Sequence, residues 1–136
     1  MNIDLIRLLV DFAILVLIWM VQLVVYPGMC HYKTEDLNSW HKIYTKRIAV
    51  IVAPLMIVQV LVSAVQFLNR IDIYTAGSII LIIIIWLLTF LIFVPLHNAI
   101  GPGKSCERIT NNLVSKNWWR TGLWSLLFIW TLSENL

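Results

Sequence analysis

Two short stretches gather the side chains that could do chemistry. Pro95-Leu96-His97-Asn98 follows directly on a long apolar run, and Asn117-Trp118-Trp119-Arg120 stands where the next apolar run begins. The first half of the chain repeats the arrangement with Pro27, His31, His41, Tyr44 and Arg47. An imidazole is the natural proton carrier near neutral pH. A guanidinium holds a carboxylate, phenolate or enolate by a forked hydrogen bond. Arg120 with Asn117 would stabilise a developing oxyanion, while His97, or His41 with Tyr44, takes the proton. The catalytic candidates are therefore His97, Asn98, Asn117, Arg120, His41, Tyr44 and Arg47.

Each candidate has a plainer alternative. His31, His41 and His97 are the only histidines and could ligate haem or a transition metal. No HxxxH or HxH spacing supports that, and interfacial histidines bonded to neighbours would look the same. Arg47 and Arg120 both open apolar runs, where snorkelling to lipid headgroups is common. Tyr44 and Trp40 suit a flat ligand or an ordinary interface. Cys30 and Cys106 lack paired spacing and read as reduced thiols. Gln22, Gln59 and Gln66 read as glue between helices, and Asp11 as an outer-interface residue.

The elements that position these residues are apolar. The chain has 136 residues, 60% of them hydrophobic and 12% charged, with a formal charge of +3. A soluble domain of this size carries about a quarter charged residues. The excess lies in long runs, which predicts an integral membrane protein of one domain, residues 1–136, with no nucleic-acid partner. A span needs roughly 20 residues at ~1.5 Å each. Four are predicted, at about 5–26, 48–68, 74–94 and 118–132. Pro27-Gly28 and Pro95 are expected to end the first and third. The first run is long enough to span and has no small-residue cleavage site, so it reads as a span rather than a signal peptide.

Between the spans, Thr34-Glu35-Asp36 reads as a capped helix start that leads into the second span, with Pro54 kinking it or ending its regular bonding locally. Gln59, Ser63 and Gln66 form a polar stripe that must face protein or water. Asn69-Arg70-Ile71-Asp72 is a turn, and Gly101-Pro102-Gly103 a loop. Ser105 is a candidate cap for a fourth helix with Glu107 in its first turn. Trp118, Trp119, Trp124 and Trp130 suit membrane interfaces. The prediction is an all-α four-helix bundle of two pseudo-repeated hairpins, with cytoplasmic helical extensions on the second and fourth helices.

A repeat of two spans keeps both copies in one orientation, so both Pro-to-Arg connections lie on the same side. Those connections, 28–47 and 96–120, carry Lys33, Lys42, Lys46, Arg47, Lys104, Arg108, Lys116 and Arg120. The opposite face has Arg7 and Arg70. The positive-inside rule then puts the connections in the cytoplasm and both termini outside, with a bacterial inner (plasma) membrane as the expected location.

Pro95-Leu96-His97-Asn98, then Leu113-Val114 and Asn117-Trp118-x-Arg120, resembles the small four-span membrane proteins grouped with the anthrone oxygenases of aromatic polyketide pathways. The likeness covers residues 94–124 and, more loosely, 26–54. It implies oxidation of a phenolic tricyclic ring with dioxygen, with His97, Asn98, Asn117 and Arg120 at the matching positions. In that family the Trp precedes the polar-x-x-Arg element, whereas Trp118 and Trp119 lie inside it here. Three functions compete. One is a membrane oxidoreductase or oxygenase acting on a small apolar or phenolic substrate drawn from lipid. Another is a haem- or metal-binding protein using His31, His41 and His97. The third is a structural or lipid-binding bundle, which would suit an oligomer.

Overall fold

In a computed structural model, which describes residues 2–102 and 105–136, the chain is all-helical. Gly103 and Lys104 lie outside the described residues. The four helices are α1 (Ile3–Met29), α2 (Thr34–Asn69), α3 (Ile73–Ala99) and α4 (Glu107–Asn135). The first three are long and apolar enough to cross a membrane; α4, at 29 residues, is long enough but more polar. Each helix packs on its chain neighbours, and α4 closes the ring against α1.

Local signals explain most boundaries. The Asn2 side chain accepts the Asp4 backbone N–H at 3.0 Å and starts α1. Asp72 starts α3 with a capping box: its carboxylate accepts the Thr75 N–H at 2.9 Å, and its own N–H donates to Thr75 Oγ1 at 3.1 Å. That Thr75 N–H holds the Asp72 carboxyl below its ordinary range. Thr34 and Ser105 do not cap. Lys33 and Cys106 occupy the positions before α2 and α4, without a side-chain cap bond. The acids Glu35, Asp36 and Glu107 do fall in first turns, as expected.

Pro27 and Pro95 behave differently from expectation. α2 runs on through Pro54. Pro27 and Pro95 do not end their helices; α1 reaches Met29 and α3 reaches Ala99. The reason is a widened π turn before each, at Val21–Val25 and Thr89–Phe93. The turns close with the Tyr26 N–H on the Val21 carbonyl and the Val94 N–H on the Thr89 carbonyl. A proline in a regular helix loses a bond and clashes with the carbonyl four residues back. A five-residue turn directly ahead of it relieves that clash.

The interior has two apolar layers. One, around Ile14, Ile18, Met56, Ile82, Ile85 and Leu127, fills the middle of the bundle. The other, around Val21, Tyr26, Leu37, Phe93 and Leu113, lies toward the two long connections. Much of the remaining apolar surface faces outward, as at Val50, Leu68 and Leu91. Trp118 and Trp119 are exposed, but Trp124 is 3% exposed and belongs to the core rather than to an interface.

Candidate functional site

The π turn in α1 turns Gln22 and Tyr26 into the bundle, where they are 2% and 3% exposed. In α2, Leu37, His41 and Tyr44 share the predicted face and are all buried. α3 brings Thr89, Phe93, His97 and Asn98 to the same level, and α4 brings Asn117, Arg120, Thr121 and Trp124. Together these helices enclose a cavity of about 520 Å³. Its polar lining includes Tyr26, His41, Tyr44, Thr89, His97, Asn98 and Arg120. Its apolar wall is built from residues such as Ile18, Ile48, Val52 and Met56. This volume falls within the usual range for small-molecule sites.

A chain of contacts crosses the cavity. The Tyr26 hydroxyl lies 3.0 Å from His97 Nε2, and His97 Nδ1 lies 2.8 Å from His41 Nε2. Both contacts are satisfied with Tyr26 donating to His97 and His97 donating to His41, and equally with the direction reversed throughout, as a proton-relay line requires. Tyr44 packs beside both imidazoles, with ring centroids 6.4 Å from each.

Arg120 sits at the other side of this chain. Its Nε donates to Asn117 Oδ1 at 3.0 Å and its Nη1 to Thr89 Oγ1 at 3.4 Å. The guanidinium carbon lies 3.8 Å from the centre of the Phe93 ring, a cation–π contact. Asn117 is fully buried and is itself held: its Nδ2 donates to Gln22 Oε1 at 2.9 Å. Gln22 also accepts from Thr121 Oγ1 at 3.3 Å and donates to the Val114 carbonyl at 3.1 Å. Among the described residues no carboxylate pairs with Arg120. A cation 8% exposed thus faces an apolar cavity with only neutral partners.

Of the residues singled out in the sequence, His41, Tyr44, His97, Asn98 and Arg120 line the cavity. Asn117 stands behind Arg120 and orients it. Arg47 and His31 are exposed and do not line it. Among the described residues no group of three or more His, Cys, Asp or Glu side chains is placed to hold a metal ion. The sequence pattern does not mark Tyr26, Thr89 and Phe93 for the site. Gln22, which reads as glue, performs that role at the residue that steers Arg120.

A second polar centre lies at the opposite end. Arg7 and Asp11 form an ion pair at 2.7 Å, their side chains 0% and 1% exposed. Asp11 also accepts from Gln59 Nε2 at 2.6 Å and Thr131 Oγ1 at 2.7 Å. Arg7 donates to Ser63, and to Gln66 at 3.3 Å. The polar stripe of α2 does face protein, as predicted. The outer-interface placement of Asp11 is overturned: three buried donors draw it into the bundle. Gln59 connects the two centres, since its Oε1 accepts from Trp124 Nε1 at 3.3 Å and Trp124 lines the cavity.

No family model matches the chain, and neither a curated protein nor a solved structure matches it.

Proposed function

We propose that the chain is a membrane oxidoreductase that takes a small apolar phenol into the cavity and ionises it there. The observation that carries this reading is Arg120, a buried guanidinium facing an apolar cavity without a carboxylate partner. A buried charge is costly unless it is paired. A phenolate supplies the missing charge on a ring that the apolar wall accepts. The proton leaves along the line of contacts: to the Tyr26 oxygen as its own proton passes to His97 Nε2, and from His97 Nδ1 to His41 Nε2. An ionised phenol is the electron-rich form that an oxidant such as dioxygen attacks, which fits the anthrone-oxygenase resemblance.

The membrane setting has its own support. Three helices have spanning length and composition, and large aliphatic side chains such as Leu68 and Ile73, 79% and 85% exposed, face outward. Arg7 is buried, which leaves Arg70 as the exposed cation of its end. That sharpens the charge bias toward cytoplasmic connections in a bacterial inner membrane. The repeat of two hairpins is supported by the π turns of α1 and α3, each ending two residues before its proline.

The test is turnover of phenolic substrates by the purified chain and by Arg120→Lys and His97→Ala. Loss in both variants, with the fold intact by circular dichroism, is expected. Full activity in both removes the proposal.

A further inference from the structure

The cavity has a mouth, and the residues there take no part in the proposed chemistry. Four of the lining residues are exposed: Lys42 and Ala49 on α2, Val94 and Asn98 on α3. The opening therefore lies between these two helices. It is polar at one end and apolar at the other. Lys42 and Asn98 each follow directly on a member of the His41–His97 pair, which joins the helices at that level. Ala49 and Val94 lie deeper. Deeper still is Thr89, which Arg120 reaches at 3.4 Å. Between Thr89 and His97 α3 advances roughly 12 Å at ~1.5 Å per residue. Lys42 and Arg120 thus stand toward opposite ends of one cavity. Among the described residues Lys42 forms no ion pair, and no Asp or Glu lines the cavity. The lining holds two cations, one deep and one at the mouth, and no acid to neutralise either.

We infer that the ligand is a hydroxyaryl carboxylic acid: a phenol whose ring oxygen is seated at Arg120 and His97 and whose carboxylate lies at the mouth, between Lys42 and Asn98. This rests on the cavity reading above and specifies its substrate class. The ring lies against the apolar wall, as that reading has it; only the end at the mouth is charged. There the carboxylate accepts from the Lys42 ammonium and the Asn98 amide. It also stays within reach of water, which avoids most of the cost of burying a charge. Lys42 is then the residue that separates acidic from neutral phenols. A lipid phosphate at Lys42 would leave Arg120 unpaired, and a simple phenolate at Arg120 would leave Lys42 unpaired. A ligand acidic at both ends answers both cations.

The test uses the full chain in a nonionic detergent without lipid, titrated calorimetrically near neutral pH. The two probes are 3-(4-hydroxyphenyl)propanoate and its amide, which has the same shape and no charge. Wild-type protein should bind the acid more tightly than the amide. Lys42→Gln should lower the acid-to-amide affinity ratio about fivefold, the scale of one ion pair still open to solvent. Lys42→Arg should restore it. Lys46→Gln removes a neighbouring exposed cation that does not line the cavity, and the ratio should stay near its wild-type value. Both lysines are exposed, so the bundle core is undisturbed in all three variants. Equal affinity for the two probes in wild type overturns the inference while leaving the cavity reading intact. So does a ratio unmoved by Lys42→Gln, or one lowered equally by Lys46→Gln. Failure of both probes to bind wild-type protein overturns both readings.

Discussion

His97 Nδ1 lies 2.8 Å from His41 Nε2, joining α3 to α2 across the cavity. Two imidazolium rings cannot face each other at that distance, because both facing nitrogens would be donors. The pair therefore holds at most one proton beyond the neutral state, which suits it to pass a proton along and not to store two. His97 is the middle member, since it alone touches both Tyr26 and His41.

That asymmetry predicts unequal losses. His97→Ala breaks the line at its centre and should lower kcat for a phenolic substrate by ~10²-fold, the usual scale for a general acid–base group. His41→Ala leaves Tyr26 and His97 in contact and should cost less. Steady-state kinetics of the two variants decide it. Equal and small losses would remove the relay from the mechanism.

Arg120 owes its direction to a residue it does not touch. Gln22 holds Asn117, and Asn117 holds Arg120 Nε. Gln22→Leu leaves the Asn117 amide and the Val114 carbonyl without their partner. A buried polar group so stranded costs about 1–3 kcal/mol. Thermal unfolding in detergent should show that loss, and phenol affinity should fall with it. Unchanged affinity would show that Asn117 holds Arg120 without help.

The Arg7–Asp11 pair makes a separate prediction. Asp11→Leu leaves Arg7 charged and buried, a change that typically costs about 3–5 kcal/mol. Replacing both by leucine removes the stranded charge, so the double variant should be more stable than Asp11→Leu alone. Denaturation midpoints of the two variants and the wild type measure this. A double variant less stable than the single one would contradict the account.

The legible parts of the fold are those encoded locally. Apolar runs mark the helices, and three- and four-residue steps place His41 beside Tyr44 and Asn117 below Arg120. Tyr26 is hidden because a π turn adds a residue and rotates the remainder of the helix by ~100°, so regular helical phase misplaces it. Arg47 and Arg120 look alike in sequence, each three residues after a polar side chain at the mouth of an apolar run. They differ in tertiary setting: Asn117 and Gln22 draw Arg120 inward, while Arg47 sits beside the inward face of α2 and is exposed. Arg7 and Asp11 look interfacial because their partners Gln59, Ser63 and Gln66 lie on another helix. No local pattern pairs residues so far apart.

Everything functional turns on whether Arg120 stabilises an anionic ring in the cavity. The most direct measurement is the absorbance of bound 4-nitrophenol across pH, which separates phenol from phenolate. In wild-type protein the bound probe should ionise at a lower pH than in detergent alone, with an acid constant at least about tenfold larger, or ~1.4 kcal/mol in favour of the anion. Arg120→Gln should abolish that difference. A bound probe that ionises at the same or higher pH, or one indifferent to the substitution, would contradict the account.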